Sequence, residues 1–552
     1  MYTLNFNSSE TAPEEFQFPK TRRLFKSTFV ATTVAACTAA SLLLIIALPI
    51  SPIKLKEELE PGKSSCASRR HCHKSSSSYR KPPSPYLLSM LQDYEQRHKR
   101  CEPLSKSFNR SFFQESSSPV GAKKQNYSIK SHQPSHVDDD DCSYVVFTRP
   151  TNGLGNRMLS MSSAFLYALL TNRVLLVDFG PDMMHLFSEP VPNSTWLFPE
   201  DSRFGNRIYG SKVDDFGSLM KNNNNHTAVL ANNSSSFLHV NLGYGYDDYD
   251  KLFYSNGVQD GLQRVPWLIL KSDQYFVPYL FLMSGFRAKL DRMFPDKETV
   301  FHHLGRYLFT PSDQAWGLIA RFYDAYLANA DERIGLQIRV LDSKASPTAL
   351  VLKQVLRCAQ KEAQILPPLA TKQNETDTKK LASKKTSYNK AVLVASLSSE
   401  FYVELKDMFW KRASASTGSD GEVAVGFHQA SHEEVQRSND GTHNMMAWVD
   451  IYLLSLCDVL VTSGWSTFGY VAQGLGGLRP WILQIPDTKY GGGETLWGNA
   501  CRRAVSMEPC FHFPPSYGGN MVGVRVDGEE GGGSFSVVHC EDVGGGLKLV
   551  NV

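Results

Sequence analysis

At 552 residues with 42% hydrophobic content, the chain is long enough to bury two cores of ordinary domain size. Its formal charge of +3 is near balance and its basic residues gather on no single periodic face, so a nucleic-acid partner is not indicated. Any anionic partner is expected to be small.

Residues 1–28 are polar and hold Lys20, Arg22, Arg23 and Lys26; residues 29–50 then run 22 positions without a charge, enough helical rise to cross a hydrocarbon core. Lys54 and Lys56 beyond the run are mixed with Glu57, Glu58 and Glu60. The positive-inside bias predicts a transmembrane signal anchor with residues 1–28 as a cytosolic tail and everything after residue 50 luminal. A cleaved signal peptide competes, because Thr, Ala and Cys dilute the first half of the run. Against it, the run starts late and exceeds a usual signal core. Luminal exposure agrees with glycosylation sequons at Asn109, Asn126, Asn193, Asn225, Asn232, Asn233 and Asn374. Nine of the ten cysteines follow the anchor, where disulfides persist. Nine is odd, and Cys457, inside an apolar helical pattern, is the expected free, buried thiol. No cysteine pair has zinc-site spacing.

Residues 51–84 are Ser-, Pro- and base-rich, as expected of a solvated stem. A helix is expected over 86–100, with Leu87, Leu88, Leu91 and Tyr94 on one face. Residues 101–141 return to polar linker and end in four aspartates, read as a solvated charge run. Residues 144–148 then read as a buried strand, Gly153-Leu154-Gly155-Asn156 as a tight turn, 157–171 as a helix and 174–179 as a second strand. Neither a P-loop nor a dinucleotide fingerprint is present. The two glycines either serve the turn alone or bring its N–H groups and the Asn156 amide against a phosphate or sugar. Over 180–330 the pattern is harder to parse, with a strand expected at 267–271 and helices near 301–308 and 316–330. Asp248 and Asp250 form an Asp-x-Asp that would hold a divalent metal in a different class of glycosyltransferase.

From residue 331 strands and helices alternate. Strands are expected at 334–341, 391–397, 422–427, 459–462 and 481–485, with helices at 348–365, 400–412, 444–456 and 468–475 between them. Five strands so separated predict an α/β fold with a parallel, doubly wound sheet. The expected division is an N-terminal α/β domain over 85–330 and a C-terminal one over 331–552. Ligands bind outside the carboxyl ends of such strands, where Arg339 and the 463–467 turn lie. An arginine that deep needs an anion, either a structural carboxylate or a ligand phosphate. Asp450, placed at the start of a helical run, is a candidate reader of a guanine edge; a solvent-facing helix acid is the alternative.

The stretches NGLGNRMLSMSSAFLYALLTNRVLLVD (152–178), PWLILKSDQYFVP (266–278), GLQIRV (335–340), YLLSLCDVLVTSGWSTFGYVAQGLGGLRPWIL (452–483), VSMEPCF (505–511) and HCED (539–542) resemble the plant cell-wall fucosyltransferases of the xyloglucan α-1,2-fucosyltransferase family. The resemblance runs from about residue 80 to the C-terminus. It implies a Golgi type II membrane protein of GT-B-like fold, two Rossmann-like domains facing a cleft, with GDP-fucose as donor, a glycan hydroxyl as acceptor and no required metal or other cofactor. A homodimer is compatible with it. On the resemblance, Arg339 holds the donor diphosphate, Gln337 stands where distant relatives have histidine, and Ser466, Thr467 and Phe468 face the phosphates. Gly155, Asn156 and Arg157 complete the donor side. Val340 replaces the second arginine of the distant motif. Asp542 and Asp342 are the candidate proton acceptors. A non-catalytic sugar-binding relative of the same fold is the remaining alternative.

Overall fold

Alternation of buried side chains at period two builds the central strands. In strand β7 (Asn389–Ala395), Val392 and Val394 enter one apolar cluster, whereas Ala391, Leu393 and Ala395 enter the other. A strand apolar on both faces must be covered on both, which is the signature of a parallel sheet. The computed structural model describes residues 82–103, 105, 108, 142–148, 152–199, 205, 208–210, 213–223, 226, 229–230, 236–340, 344, 346–367, 389–413, 424–484, 499–515, 524–525 and 536–551. The segment expected to cross a membrane, 29–50, lies outside them. Among the described residues no helix is long and apolar enough to do so.

The first sheet has the order β2-β1-β5-β4-β3 and is parallel throughout. Its strands are β1 (Tyr144–Phe147), β2 (Val174–Val177), β3 (Asp214–Asp215), β4 (Phe237–Asn241) and β5 (Trp267–Lys271). Helix α1 (Pro85–Arg100) precedes it, N-capped by Ser84 and burying Leu87 and Tyr94. Helix α2 (Leu154–Leu170) links β1 to β2 and is buried along almost its whole length. The expected tight turn at 153–156 is therefore a correction: Gly153 is the N-cap, and Gly155 and Asn156 lie in the first helical turn. Strands β3 and β4 were not foreseen from the pattern.

The second sheet has the order β11-β10-β9-β6-β7-β8, made of β6 (Glu332–Gln337), β7, β8 (Ala424–His428), β9 (Val459–Ser463), β10 (Trp481–Leu483) and β11 (Cys501–Arg503). The expected strands are all present and parallel; only the added edge strand β11 runs antiparallel. On one face Ile334, Leu336, Val392 and Val461 pack with Val355 of α3 (Thr348–Arg357) and Leu405 of α4 (Glu400–Ala413). On the other face lie α5 (Gly441–Ser455) and α6 (Thr467–Gly476). Trp448 and Leu475 from these helices share one continuous core with Phe165 of α2 and Leu268 of β5, so the two sheets are welded through α2, α5 and α6. The chain then crosses back: Phe511, Leu547 and Leu549 join that core, and a small sheet of β12 (Val524–Arg525), β13 (Val537–His539) and β14 (Leu547–Leu549) closes the tail.

Disulfides staple the described residues at Cys101–Cys142, Cys358–Cys501 and Cys510–Cys540, and Cys457 is the buried free thiol, as expected. The Cys358–Cys501 bridge ties the turn that follows α3 to the edge strand β11 across 143 residues. Because a cross-link of that span removes much unfolded-state entropy, Cys358→Ala with Cys501→Ala is expected to cost about 2–5 kcal/mol. The measurement is the denaturant midpoint of the double variant; a midpoint equal to the wild type's would contradict the prediction.

Candidate active site

Helices α2 and α6 pack against each other at their first turns. A Cβ on Gly155 would lie 2.8 Å from the Thr467 carbonyl carbon and 2.9 Å from the Phe468 nitrogen, so only glycine permits the approach. The Thr467 hydroxyl donates to Asn156 Oδ1 at 2.7 Å across the join. Ser466 caps α6, its Oγ accepting from Gly469 N, while Gly153 gives α2 no side-chain cap. Two helix N-termini thus open on one point, and their dipoles and first-turn N–H groups favour an anion there.

That point lies in a cleft of about 320 Å³ lined from both halves of the molecule, by residues 152–157 on one side and by Gln337, Arg339, Asp450 and residues 465–468 on the other. Arg339 lies just beyond the carboxyl end of β6 rather than within the strand. Its backbone N–H donates to Ser463 Oγ at 2.9 Å and its guanidinium donates to Gln436 Oε1 at 2.7 Å. The nearest partner is thus a neutral amide, and burial holds the guanidinium below its ordinary pKa, the electrostatic condition of a cation awaiting an anion. Gln337 is buried and accepts from Ser463 N through Oε1 at 3.2 Å, stitching β6 to β9 beneath the turn. Val340 packs on the second core.

Asp450 requires a correction. It lies well inside α5, not at the start of a helix, and is 5% exposed. Its Oδ2 accepts from Ser431 Oγ at 2.6 Å, whereas its buried Oδ1 has no partner, and burial raises its pKa to about 7. A buried carboxylate oxygen left open in a cleft is a vacant acceptor for ligand N–H groups. Arg157 lines the cleft but pairs with Asp182 at 2.7 Å, and Asp182 also accepts from Asn444 Nδ2 at 2.8 Å, tying α2 to α5. Arg157 therefore joins the two halves as well as facing the ligand space.

The 463–467 turn is held from behind by the tail. Trp465 adopts φ +61°, a conformation side chains rarely take, and its N–H donates to Asp542 Oδ2 at 2.9 Å. Its indole N–H donates to the Asp542 carbonyl, and Tyr470 Oη donates to Asp542 Oδ2 at 2.6 Å. Asp542 thus anchors the turn. Asp342, and the sequons other than Asn193, lie outside the described residues; Asn193 is exposed. The Asp-x-Asp pair does not converge: the Asp248 side chain is 92% exposed and paired with Lys251, while Asp250 is buried beside Gly217. The residues missed in sequence, Ser431, Gln436, His443 and Asn444, come from the loop after β8 and the start of α5. Their signal was positional only: a polar loop following the carboxyl end of a parallel strand.

Two mainly parallel sheets joined across a cleft on which Arg339 and two helix N-termini converge form the framework of a nucleotide-sugar glycosyltransferase. Comparison with known proteins narrows the class. The chain belongs to the xyloglucan fucosyltransferase family, whose pattern matches residues 58–520; it is a fucosyltransferase. It is 45% identical over 478 residues to the galactoside 2-alpha-L-fucosyltransferase of Pisum sativum, covering 85% of this chain and 76% of that one. To the protein of the same name from Arabidopsis thaliana it is 43% identical over 499 residues, covering 88% and 80%. Its fold matches a mutant of Arabidopsis thaliana FUT1 in complex with GDP at a TM-score of 0.68 and 42% identity, covering 86% of this chain and 94% of that one.

Two outcomes are expected. Gly155→Ala forces α2 and α6 apart at backbone atoms that cannot rotate away, lowering stability by about 1–3 kcal/mol, measurable by chemical denaturation. Asp450 has a folded pKa of about 7 against 3.8 unfolded, so the folded state holds its proton more tightly and the wild type loses stability as pH rises between these values. Asp450→Asn removes that loss: its stability advantage is expected to grow from about pH 4 to pH 7 and then level off, and a constant difference across that window would contradict it.

Proposed function

We propose that this fucosyltransferase transfers L-fucose from GDP-β-L-fucose to a hydroxyl of a cell-wall polysaccharide or proteoglycan glycan, with inversion to an α-linkage. The observation that carries the reading is the convergence of Arg339 with the N-termini of α2 and α6 on one cleft that also holds the open oxygen of Asp450. A guanine offers N1–H and N2–H groups to an ionised Asp450, and a diphosphate completes the positive end. The GDP carried by the Arabidopsis relative supports the same assignment.

Cleavage of the bond to GDP builds negative charge on the β-phosphate as the fucosyl carbon becomes oxocarbenium-like. Arg339, held by Gln436, and the N–H groups of the two helix starts receive that charge without reorganising, which lowers the barrier selectively in the transition state. Gly155 sets the spacing of the two starts; Asn156 and Thr467 lock it; Ser466 and Gln337 keep the turn in place; Phe468 covers its flank. In this reading Asp542 acts by holding the turn, and the acceptor proton needs only a weak base when the transition state is loose. We place the enzyme in the Golgi membrane as a single-pass type II protein anchored by residues 29–50, with galactosyl groups of xyloglucan or arabinogalactan side chains as the acceptor class.

The deciding test is GDP-dependent thermal stabilisation of wild type against Arg339→Ala. Wild type is expected to be stabilised and the variant not, with kcat reduced by about 10²–10³; no stabilisation of wild type by GDP would refute the donor assignment. Because Asp450 must be ionised to accept from guanine, GDP is expected to bind more tightly at pH 8 than at pH 5.5, with the difference abolished in Asp450→Asn. Titration calorimetry at the two pH values checks this. The acceptor is identified by offering defined oligosaccharides with GDP-fucose and reading the new linkage by NMR.

A further inference from the structure

Four aromatic rings lie in a row leading out of the cleft. Trp465, His512 and Phe513 line its mouth, and Tyr244 continues the row into solvent. Ring centroids are separated by 6.3 Å from Trp465 to His512, 6.1 Å from His512 to Phe513, and 4.9 Å from Phe513 to Tyr244. Trp465, Phe513 and Tyr244 are exposed by 46%, 38% and 72%. Three large rings held in water in consecutive contact through His512 are not explained by folding, since burying them would be favourable.

The Trp465 indole and the backbone of Tyr244 and Phe513 are fastened by hydrogen bonds. The indole N–H of Trp465 donates to the Asp542 carbonyl, the Tyr244 N–H donates to Asp273 Oδ1 at 2.8 Å, and Tyr246 Oη donates to the Phe513 carbonyl at 2.8 Å. The Trp465 ring is thereby oriented before any ligand arrives, the backbone that carries Tyr244 and Phe513 is held in place, and the Trp465 backbone N–H on Asp542 Oδ2 supports its left-handed conformation. Strain maintained on an exposed aromatic at a cleft mouth points to use of that ring.

We propose that Trp465, His512, Phe513 and Tyr244 form a stacking track for a neutral, extended glycan chain, which holds the acceptor polymer while one of its sugars enters the cleft. Sugar rings offer apolar C–H faces to aromatic faces and keep their hydroxyls for the polar rim, a match for amphipathic rings with one wet side. A strip one ring wide is too narrow for a protein partner, whose specific interfaces bury roughly 1,200–2,000 Å². Burial lowers the pKa of His512 within the row, and the carboxylates of Asp542 and Asp273 stand near it, so an acidic polysaccharide is disfavoured. The acceptor role of the track rests on the donor assignment above.

The test uses the full-length protein with GDP, titrated with a galactosylated β-1,4-glucan oligosaccharide and, separately, with an oligogalacturonate. Tyr244→Ala and Phe513→Ala are expected to weaken binding of the neutral oligosaccharide about tenfold and raise its KM, with kcat and GDP stabilisation unchanged; Tyr244→Phe is expected to restore binding. Unaltered oligosaccharide binding in both alanine variants, or tighter binding of the oligogalacturonate by wild type, would overturn the proposal. Absence of GDP stabilisation in wild type would instead defeat the donor assignment, and the oligosaccharide titration without nucleotide would still decide the track.

Discussion

The contact on which the rest depends is the near-touch of two helix N-termini. Helices α2 and α6 repel one another electrostatically when their positive ends face across a few ångströms, and the fold holds them there through Gly155 and the Thr467–Asn156 hydrogen bond. The unfavourable field is tolerated because the shared core behind them, with Phe165, Trp448 and Leu475, leaves neither helix free to withdraw. An anion entering the cleft would relieve both dipoles at once.

The same logic applies to single side chains. Arg339 is partly desolvated with a neutral amide as partner, and Asp450 is buried with one oxygen open. Each carries a desolvation cost that a ligand of opposite or complementary character removes. The two lie on different elements, at the end of β6 and inside α5, so a ligand that satisfies both must span the cleft. A nucleoside diphosphate has the necessary polarity, with hydrogen-bond donors at one end and negative charge at the other.

The tail completes the arrangement. After β11 the chain returns to the first sheet's core through Phe511 and Leu547, and Glu508 reaches Tyr275 Oη at 2.6 Å and Phe301 N at 2.8 Å. With the Cys510–Cys540 bridge closing it, this segment brings Asp542 under Trp465 and His512 beside it. One short stretch thus supports the 463–467 turn and supplies part of the aromatic row beside it.

The amino-acid sequence alone determined the second sheet, because its strands are apolar on both faces and alternate with amphipathic helices, a pattern set by neighbours a few residues apart. It also singled out Arg339, the 463–467 turn, the glycines at 153 and 155, and Cys457 as the free thiol. Strands such as β3, Asp214–Asp215, were illegible because two polar residues carry no period and pair only through partners already in place. Only the tertiary structure decided that Gly155 belongs to a helix and is needed for contact with residues 467–468, that Asp450 is buried rather than solvent-facing, and that Asp542 grips Trp465. Each of those facts joins residues 72 or more positions apart or depends on what covers a helix face, and local pattern carries no record of either.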